Sequence, residues 1–128
     1  MTSTAEAAPP EAPLRPTPLL EVSDLHVTFR IRGGGQVYAV QGIDFTVEPG
    51  QTLAIIGESG SGKTVSAQAV MGILPRSAKV TGSIKFKGDE VVGRGERELR
   101  DYRGQCVAMV FQNPERSLNP TMRIGTQI

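Results

Sequence analysis

The chain has few of the residues from which disulfides and metal centres are built. Its 128 residues include one cysteine, Cys106, and one histidine, His26. A single cysteine excludes an intrachain disulfide, and one histidine with one distant cysteine does not make a metal site. Because Cys106 precedes an apolar run, we predict a buried and unreactive thiol.

Long apolar runs and an excess of one charge are also absent from the sequence. No run approaches the length that crosses a membrane, and the N-terminus has neither the basic start nor the apolar block of a signal peptide. The formal net charge of +1 gives no argument for binding nucleic acid or an anionic surface. With 38% hydrophobic and 21% charged residues, the composition favours one small, cytoplasmic domain.

The first 18 residues differ in composition from the rest of the chain. They contain five of the nine prolines, mixed with alanine, threonine and glutamate. Such a segment buries too little apolar surface to offset the entropy lost on ordering. We therefore predict a disordered tail over residues 1–18 and a folded part over residues 19–128.

The most informative stretch is glycine-rich and runs from Gly57 to Thr64, with the sequence GESGSGKT. It fits the P-loop pattern of a glycine, four residues and then Gly-Lys-Thr. The apolar run Thr52–Ile56 before it predicts a buried parallel strand, and the apolar spacing in Val65–Leu74 predicts a helix. These flanking elements favour a P-loop over the alternative, a chance glycine-rich turn.

The residue types of this stretch suit a nucleoside triphosphate. Its glycines leave backbone N–H groups open to phosphate oxygens. The following helix also points the positive end of its dipole at the same place, which attracts an anion. Lys63 supplies an ammonium to the β- and γ-phosphates, and the Thr64 hydroxyl can join the coordination shell of Mg²⁺. The predicted cofactor-binding residues are Gly57, Glu58, Ser59, Gly60, Ser61, Gly62, Lys63, Thr64 and Val65.

Apolar alternation predicts an antiparallel β layer before the P-loop strand, and the predicted fold class is α/β, a P-loop NTPase core with this N-terminal layer. The predicted strands of the layer are Leu19–Ile31, with a bulge near Ser23 and Asp24, Val37–Val40 and Ile43–Val47. The later predictions are a strand at Val80–Phe86, a helix with solvated charges at Glu96–Arg103, a second buried strand at Cys106–Phe111 and a helix start within Thr121–Ile128.

Two aromatic residues of the β layer are candidates for stacking on a nucleotide base. Phe29 is in phase with the apolar face, so we predict that it lies in the core. Tyr38 follows the glycine turn Gly33–Gly35, where its ring could project towards a base. The alternative for Tyr38 is a strand tyrosine with its hydroxyl in solvent.

The P-loop stretch together with Met109–Pro114 resembles the first half of an ABC-transporter ATPase domain, and Ala39–Phe45 also fits the β layer of that family. The stretch Ser117–Pro120 is similar to the ATP-binding subunits of oligopeptide and dipeptide importers, a group that includes nickel importers. The resemblance covers Leu19–Ile128. It implies an energy-coupling ATPase of a peptide importer that uses ATP and Mg²⁺ at the cytoplasmic face of the membrane, with nickel as the main alternative cargo.

The resemblance also implies a role for Gln112. In that family the glutamine at this position begins the Q-loop and reaches the region of the Mg²⁺ and the attacking water. The segment after it contacts the coupling helix of a transmembrane permease subunit. An amide at a strand end can bind at the nucleotide, while the loop behind it is free to move with a partner. Gln112 and Lys63 are therefore the implied catalytic residues, Thr64 and Gln112 the implied Mg²⁺ ligands, and a plain surface glutamine is the alternative.

Three motifs of the family do not occur in these 128 residues: the Leu-Ser-Gly-Gly-Gln signature, an apolar strand ending in Asp-Glu, and the switch histidine. The signature completes the opposite site in a dimer of ATPase subunits. We therefore expect the N-terminal part of such a subunit, which taken alone binds nucleotide without hydrolysing it. A non-enzymatic nucleotide-binding module is the second hypothesis. A small-molecule kinase or GTPase is disfavoured by the β layer and by Phe111-Gln112.

Overall fold

The computed structural model describes residues 17–113 and 118–128. In chain order the elements are β1 (Leu20–Arg30), β2 (Gln36–Val47), α1 (Lys63–Val70), β3 (Ala78–Phe86), β4 (Asp89–Glu90), α2 (Glu96–Asp101), a π-helical turn (Tyr102–Cys106) and α3 (Ile124–Gln127). Apart from Thr17 and Pro18, the predicted tail lies outside the described residues. No helix in the described ranges is long and apolar enough to cross a membrane.

The four strands form one antiparallel sheet in the order β2–β1–β3–β4. The predicted antiparallel layer is therefore confirmed, and it is larger than predicted because β3 pairs with β1 across the intervening P-loop and α1. The predicted strands Val37–Val40 and Ile43–Val47 are parts of a single strand, β2. Gly42, with φ of 70°, lets the backbone continue through an irregularity between them.

The predicted bulge in β1 is present. The pairing with β2 shifts register between Val22 and Leu25, and Asp24 has φ of 48°. Opposite the bulge on β3 lies Gly82, with φ of 94°, where a Cβ would collide with the carbonyl oxygen of Asp24. Glycine is required there because the two backbones approach too closely for any side chain.

The core lies between this sheet and the segments that pack on it. Its buried members are Val22, Leu25, Val27, Val40, Ala69, Ile84, Val91 and Tyr102. Phe29 is partly buried and packs against this cluster, so its predicted place in the core is confirmed. Helix α1 contributes Ala69 to the cluster and ends earlier than predicted, because Gly72 turns the chain with φ of 63°. The sheet thereby holds α1, and with it the loop that precedes α1.

The turn between β3 and β4 occurs where Lys87-Gly88-Asp89 predicts it, with φ of 51° at Lys87 and 89° at Gly88. The side chain of Glu90 then folds back onto β3. Partial burial acts to raise the pKa of Glu90, but hydrogen bonds from the Ser83 hydroxyl and from the amides of Ile84 and Val92 outweigh it. The pKa of Glu90 is therefore lowered, and its carboxylate fastens the short β4 to the sheet.

The two predicted buried strands, Thr52–Ile56 and Cys106–Phe111, are wrong. Neither segment is a strand in the structure, and Ile56 is 94% and Val110 93% exposed. Their apolar composition is typical of strands buried on both faces of a parallel sheet. A strand, however, needs a neighbour for its backbone hydrogen bonds, and the described part of the chain supplies no parallel neighbour for either segment.

Two predictions about the charged helix and the cysteine also need correction. Cys106 is exposed rather than buried, and it ends the π-helical turn instead of beginning a strand. The charges of α2 are not all free in solvent, because Glu96 accepts a hydrogen bond from Nη1 of Arg103 at 3.0 Å. That bond lowers the pKa of Glu96.

Candidate nucleotide-binding site

The glycine-rich loop turns sharply onto the start of α1. The amide of Ser61 donates to the carbonyl of Glu58 at 3.2 Å, and Gly60 and Gly62 have φ of 81° and 88°. A Cβ on Gly62 would lie 2.5 Å from the carbonyl oxygen of Ala39 in β2. The glycine at position 62 therefore lets the start of α1 pack directly on the backbone of the sheet.

Lys63, the first residue of α1, turns its side chain back across the loop. Its Nζ donates to the carbonyl oxygens of Gly57 and Glu58, each at 2.6 Å, and to Oγ of Ser61 at 3.1 Å. These three hydrogen bonds fix the ammonium on the loop. The positive charge is thus placed beside the backbone amides, where it adds to their attraction for an anion.

The first turn of α1 favours a negative ligand. It contains no acidic residue, and the amides that open a helix have no partner within the helix. Ser66, a buried polar residue, is satisfied by the carbonyl of Gly62, which accepts from its amide at 2.8 Å and from its hydroxyl at 2.9 Å. Ser66 therefore fastens the first turn to the glycine that precedes it.

A cavity of about 420 Å³ opens over the loop and brings the two predicted parts of the site together. Gln112 lines it, although that residue lies far along the chain from the loop. The lining residues are Ala39, Ser59, Gly60, Ser61, Gly62, Lys63, Thr64, Val65 and Gln112. Of the sequence-predicted set, Gly57 and Glu58 instead meet Lys63 through their carbonyls. Ala39 was missed, because a strand alanine carries no signal for a site.

Tyr38 borders a neighbouring cavity of about 480 Å³, which it shares with Gly60, Ser61 and Lys63. Its side chain is 62% exposed, and its hydroxyl donates to Oε1 of Gln36 at 3.4 Å. The ring therefore lies beside the loop and is accessible. Base stacking by Tyr38 stays a prediction.

The oxygen donors near Lys63 suit magnesium only together with a nucleotide. The described ranges contain no group of three His, Cys, Asp or Glu residues that could hold a metal ion. Thr64 is exposed and lines the loop cavity together with Gln112. The side-chain oxygens that could bind a metal ion there are therefore the Thr64 hydroxyl and the Gln112 amide oxygen. Magnesium keeps waters and phosphate oxygens as its remaining ligands. An ion at this site would accordingly arrive with phosphates.

A glycine-rich loop that opens a helix, with its lysine folded back over it, is the arrangement of the P-loop class of nucleotide-binding proteins. Comparison with protein families narrows this class. The model of the family described as ABC transporter matches residues 40–127, and the chain belongs to this family.

Several curated proteins that are similar to this chain are named transport ATP-binding proteins. The chain is 46% identical over 112 residues to the dipeptide transport ATP-binding protein DppD of Bacillus subtilis, covering 86% of the chain and 33% of that protein. It is 45% identical over 128 residues to the oligopeptide transport ATP-binding protein OppD of Salmonella typhimurium, covering 100% of the chain and 37% of the relative. It is 47% identical over 112 residues to OppD of Mycobacterium tuberculosis, covering 88% of the chain and 18% of that relative. The chain therefore spans well under half the length of these relatives.

Proposed function

We propose that this chain supplies the nucleotide-binding part of an ATPase subunit that drives the import of dipeptides or oligopeptides. The observation that carries the proposal is the cavity in which Gln112 faces the phosphate loop and Lys63. The names of the relatives support the peptide cargo. The proposal includes an α/β P-loop NTPase core, transmembrane permease subunits and a second ATPase subunit as partners, and a place at the cytoplasmic face of the membrane.

The residues of the site fit Mg-ATP. The loop amides and Lys63 would hold the β- and γ-phosphates, and Thr64 and Gln112 would bind the magnesium. The fit rests on an ammonium fixed on the loop, a first helical turn without carboxylates, and oxygen donors lining one cavity. Bound Mg-ATP supplies the phosphoryl group that is transferred to water, while these residues bind and orient it.

The segment after Gln112 is the proposed contact with the permease subunits. Residues 114–117 of that segment lie outside the described residues. After them, Leu118 and Met122 are exposed in the stretch that precedes α3. Exposed apolar side chains in a loop are typical of a surface that meets another protein. This contact therefore belongs to the proposal for the complete subunit.

Replacing Lys63 by alanine should weaken the binding of Mg-ATP about tenfold or more, because one charge-assisted hydrogen bond is worth roughly 1.5–3 kcal/mol. The measurement is a titration of dilute protein with a fluorescent ATP analogue in the presence of Mg²⁺. Lys79→Ala is the matched control: it removes the same charge from an exposed position on β3. If Lys63→Ala binds as tightly as the unchanged protein, Lys63 does not belong to the site.

Replacing Gln112 by alanine in the complete subunit should leave ATP affinity nearly unchanged and slow hydrolysis by about tenfold to a hundredfold. Loss of a group that positions metal and water has effects of this size. Steady-state phosphate release and nucleotide titration measure the two quantities. Gln105→Ala, at an exposed position in the π-helical turn, serves as the control. A variant whose main defect is in affinity would place Gln112 among the binding residues instead.

A further inference from the structure

The C-terminal end of α1 is held by two side chains from a distant part of the sequence. The hydroxyl of Tyr102 donates to the carbonyl of Val70 at 3.0 Å. Arg103 donates through Nε to the carbonyl of Met71 at 3.1 Å and through Nη2 to that of Gly72 at 2.8 Å. The last carbonyls of a helix have no partner inside the helix. The bond to Val70 therefore caps α1 from outside, and the two from Arg103 hold the turn that follows the helix.

The two capping side chains are themselves fixed. Tyr102 is 4% exposed, and its ring packs edge-on against Phe86 with centroids 5.5 Å apart. Burial raises the pKa of Tyr102, whose hydroxyl at its ordinary pKa is already protonated and able to donate at neutral pH. Nη1 of Arg103 donates to Glu96 at 3.0 Å, so the guanidinium is held from the opposite side as well. We call Tyr102 and Arg103, with their contacts to residues 70–72, the α1 clamp.

The clamp and the nucleotide cavity lie at opposite ends of α1. The helix begins at Lys63 in the cavity and ends at Val70 in the clamp, roughly 12 Å away for its 8 residues. From the clamp the chain returns in the other direction. Val107, whose amide donates to the carbonyl of Tyr102 at 3.1 Å, is extended, and the segment behind it reaches Gln112 in the same cavity as Lys63.

The C-terminal half of the helix and the start of this returning segment lie beside one another. Ala67 and Val70 of α1 line one apolar cavity with Val107 and Met109 of the segment. Val70 and Val107 also both pack against the buried core. Such apolar packing is not directional and does not by itself set how far the segment slides along the helix. The segment is not paired as a strand in the structure, so hydrogen bonds at its clamped end fix its register against α1.

We propose that Tyr102 and Arg103 are positioning residues that set how far Gln112 reaches over the phosphate loop. The proposal rests on the proposed function only in the role of Gln112. The geometric part of the proposal does not depend on that role: when the α1 clamp is released, the segment from Val107 to Gln112 can shift along α1. Because Gln112 is at the far end of that segment, a shift at the clamp is carried to the nucleotide cavity.

The first test is kinetic and uses the complete subunit. Arg103→Lys keeps the charge but loses the planar fork that meets Met71, Gly72 and Glu96 together. The kcat of ATP hydrolysis should fall about two- to tenfold, the usual size of such coupling, with KM for ATP little changed. Tyr102→Phe, which keeps the packed ring, should have a smaller effect in the same direction. Arg100→Lys on α2 is the matched control.

A double variant shows whether Arg103 acts through Gln112. If it does, Arg103→Lys combined with Gln112→Ala should be no slower than Gln112→Ala alone. Losses that multiply independently would overturn this pathway, and so would a defect confined to KM. An effect on thermal stability without an effect on kcat would reduce the clamp to a purely structural contact.

The second test needs no nucleotide and separates the clamp from the proposed function. Spin labels at Glu58→Cys and Asn113→Cys of the complete subunit, in a background where Cys106 and any further cysteine are replaced by serine, report the distance between the loop and the segment by dipolar EPR. We expect a narrow distribution that Arg103→Lys broadens or shifts and that Arg100→Lys leaves unchanged. A distribution that Arg103→Lys does not alter, or that is already broad, overturns the proposal. Absence of ATP hydrolysis in the complete, unchanged subunit would contradict the proposed function and leave this measurement decisive.

Discussion

Replacing Gly62 by alanine should lower the free energy of unfolding by about 2–5 kcal/mol and remove most of the affinity for Mg-ATP. Gly62 has φ of 88°, and a side chain in this left-handed region costs about 1–2 kcal/mol. The new Cβ would also lie 2.5 Å from the carbonyl oxygen of Ala39, which requires β2 or the loop to move. Forced shifts in a packed region add about 1–3 kcal/mol.

Gly60→Ala is the matched control for Gly62→Ala. Gly60 has a similar φ of 81°, but nothing lies within 4 Å of the position that its Cβ would occupy. This variant therefore carries the backbone strain without the collision. Denaturant unfolding of dilute protein, followed by circular dichroism, compares the two, and nucleotide titration compares their affinities. Equal losses in the two variants would show that contact with the sheet does not constrain the loop.

The second large effect concerns the exposed apolar side chains of residues 53–56 and 110–111. We expect a polypeptide of these 128 residues to self-associate as its concentration is raised, because Ile56 and Val110 are 94% and 93% exposed and Leu53, Ile55 and Phe111 are also exposed. An apolar area of a few hundred Å² left in water forgoes roughly 5–10 kcal/mol at about 25 cal/mol per Å². That amount rivals the whole stability of an ordinary domain.

Sedimentation velocity and size-exclusion chromatography over a range of concentrations measure this association. Ile56→Lys combined with Val110→Lys should shift the protein towards monomer, since both charges fall on the apolar segments. Ile31→Lys is the control: Ile31 is 52% exposed, but it lies in the turn after β1. A monodisperse monomer at every concentration, with one cooperative unfolding transition, would contradict the expectation.

The sequence correctly predicts the parts of the fold that depend only on residues close together in the chain. Alternation in β1 reports one buried face, and the break in that alternation at Ser23 and Asp24 reports the bulge. The turn at Lys87 and Gly88 follows from residues that tolerate positive φ. Likewise, the glycines of the loop predict a backbone that only glycine adopts easily, and Gly60 and Gly62 do have positive φ.

The wrong predictions depend on which other parts of the chain pack beside a segment, and the residues of the segment itself do not show this. Composition shows that Thr52–Ile56 and Cys106–Phe111 are suited to burial, but it cannot show whether a neighbouring strand is present. Cys106 is exposed because the chain continues in helical turns after α2, where Tyr102 and Arg103 find partners on α1. These hydrogen-bond partners are distant in the sequence, so no periodic pattern of residues indicates them. For the same reason Ala39 and the α1 clamp could not be predicted.

The pairing of β3 with β1 has a consequence for the order of folding. Strands β1 and β2 are joined by a short turn and can meet early, whereas β3 must return past the whole loop and α1 before it reaches the other edge of β1. Among the paired strands of the sheet, β1 and β3 are separated by the most residues, and the phosphate loop lies between them in the chain. We therefore expect the β2 edge of β1 to pair before the β3 edge, so that the loop and α1 are closed into the domain only when β3 docks.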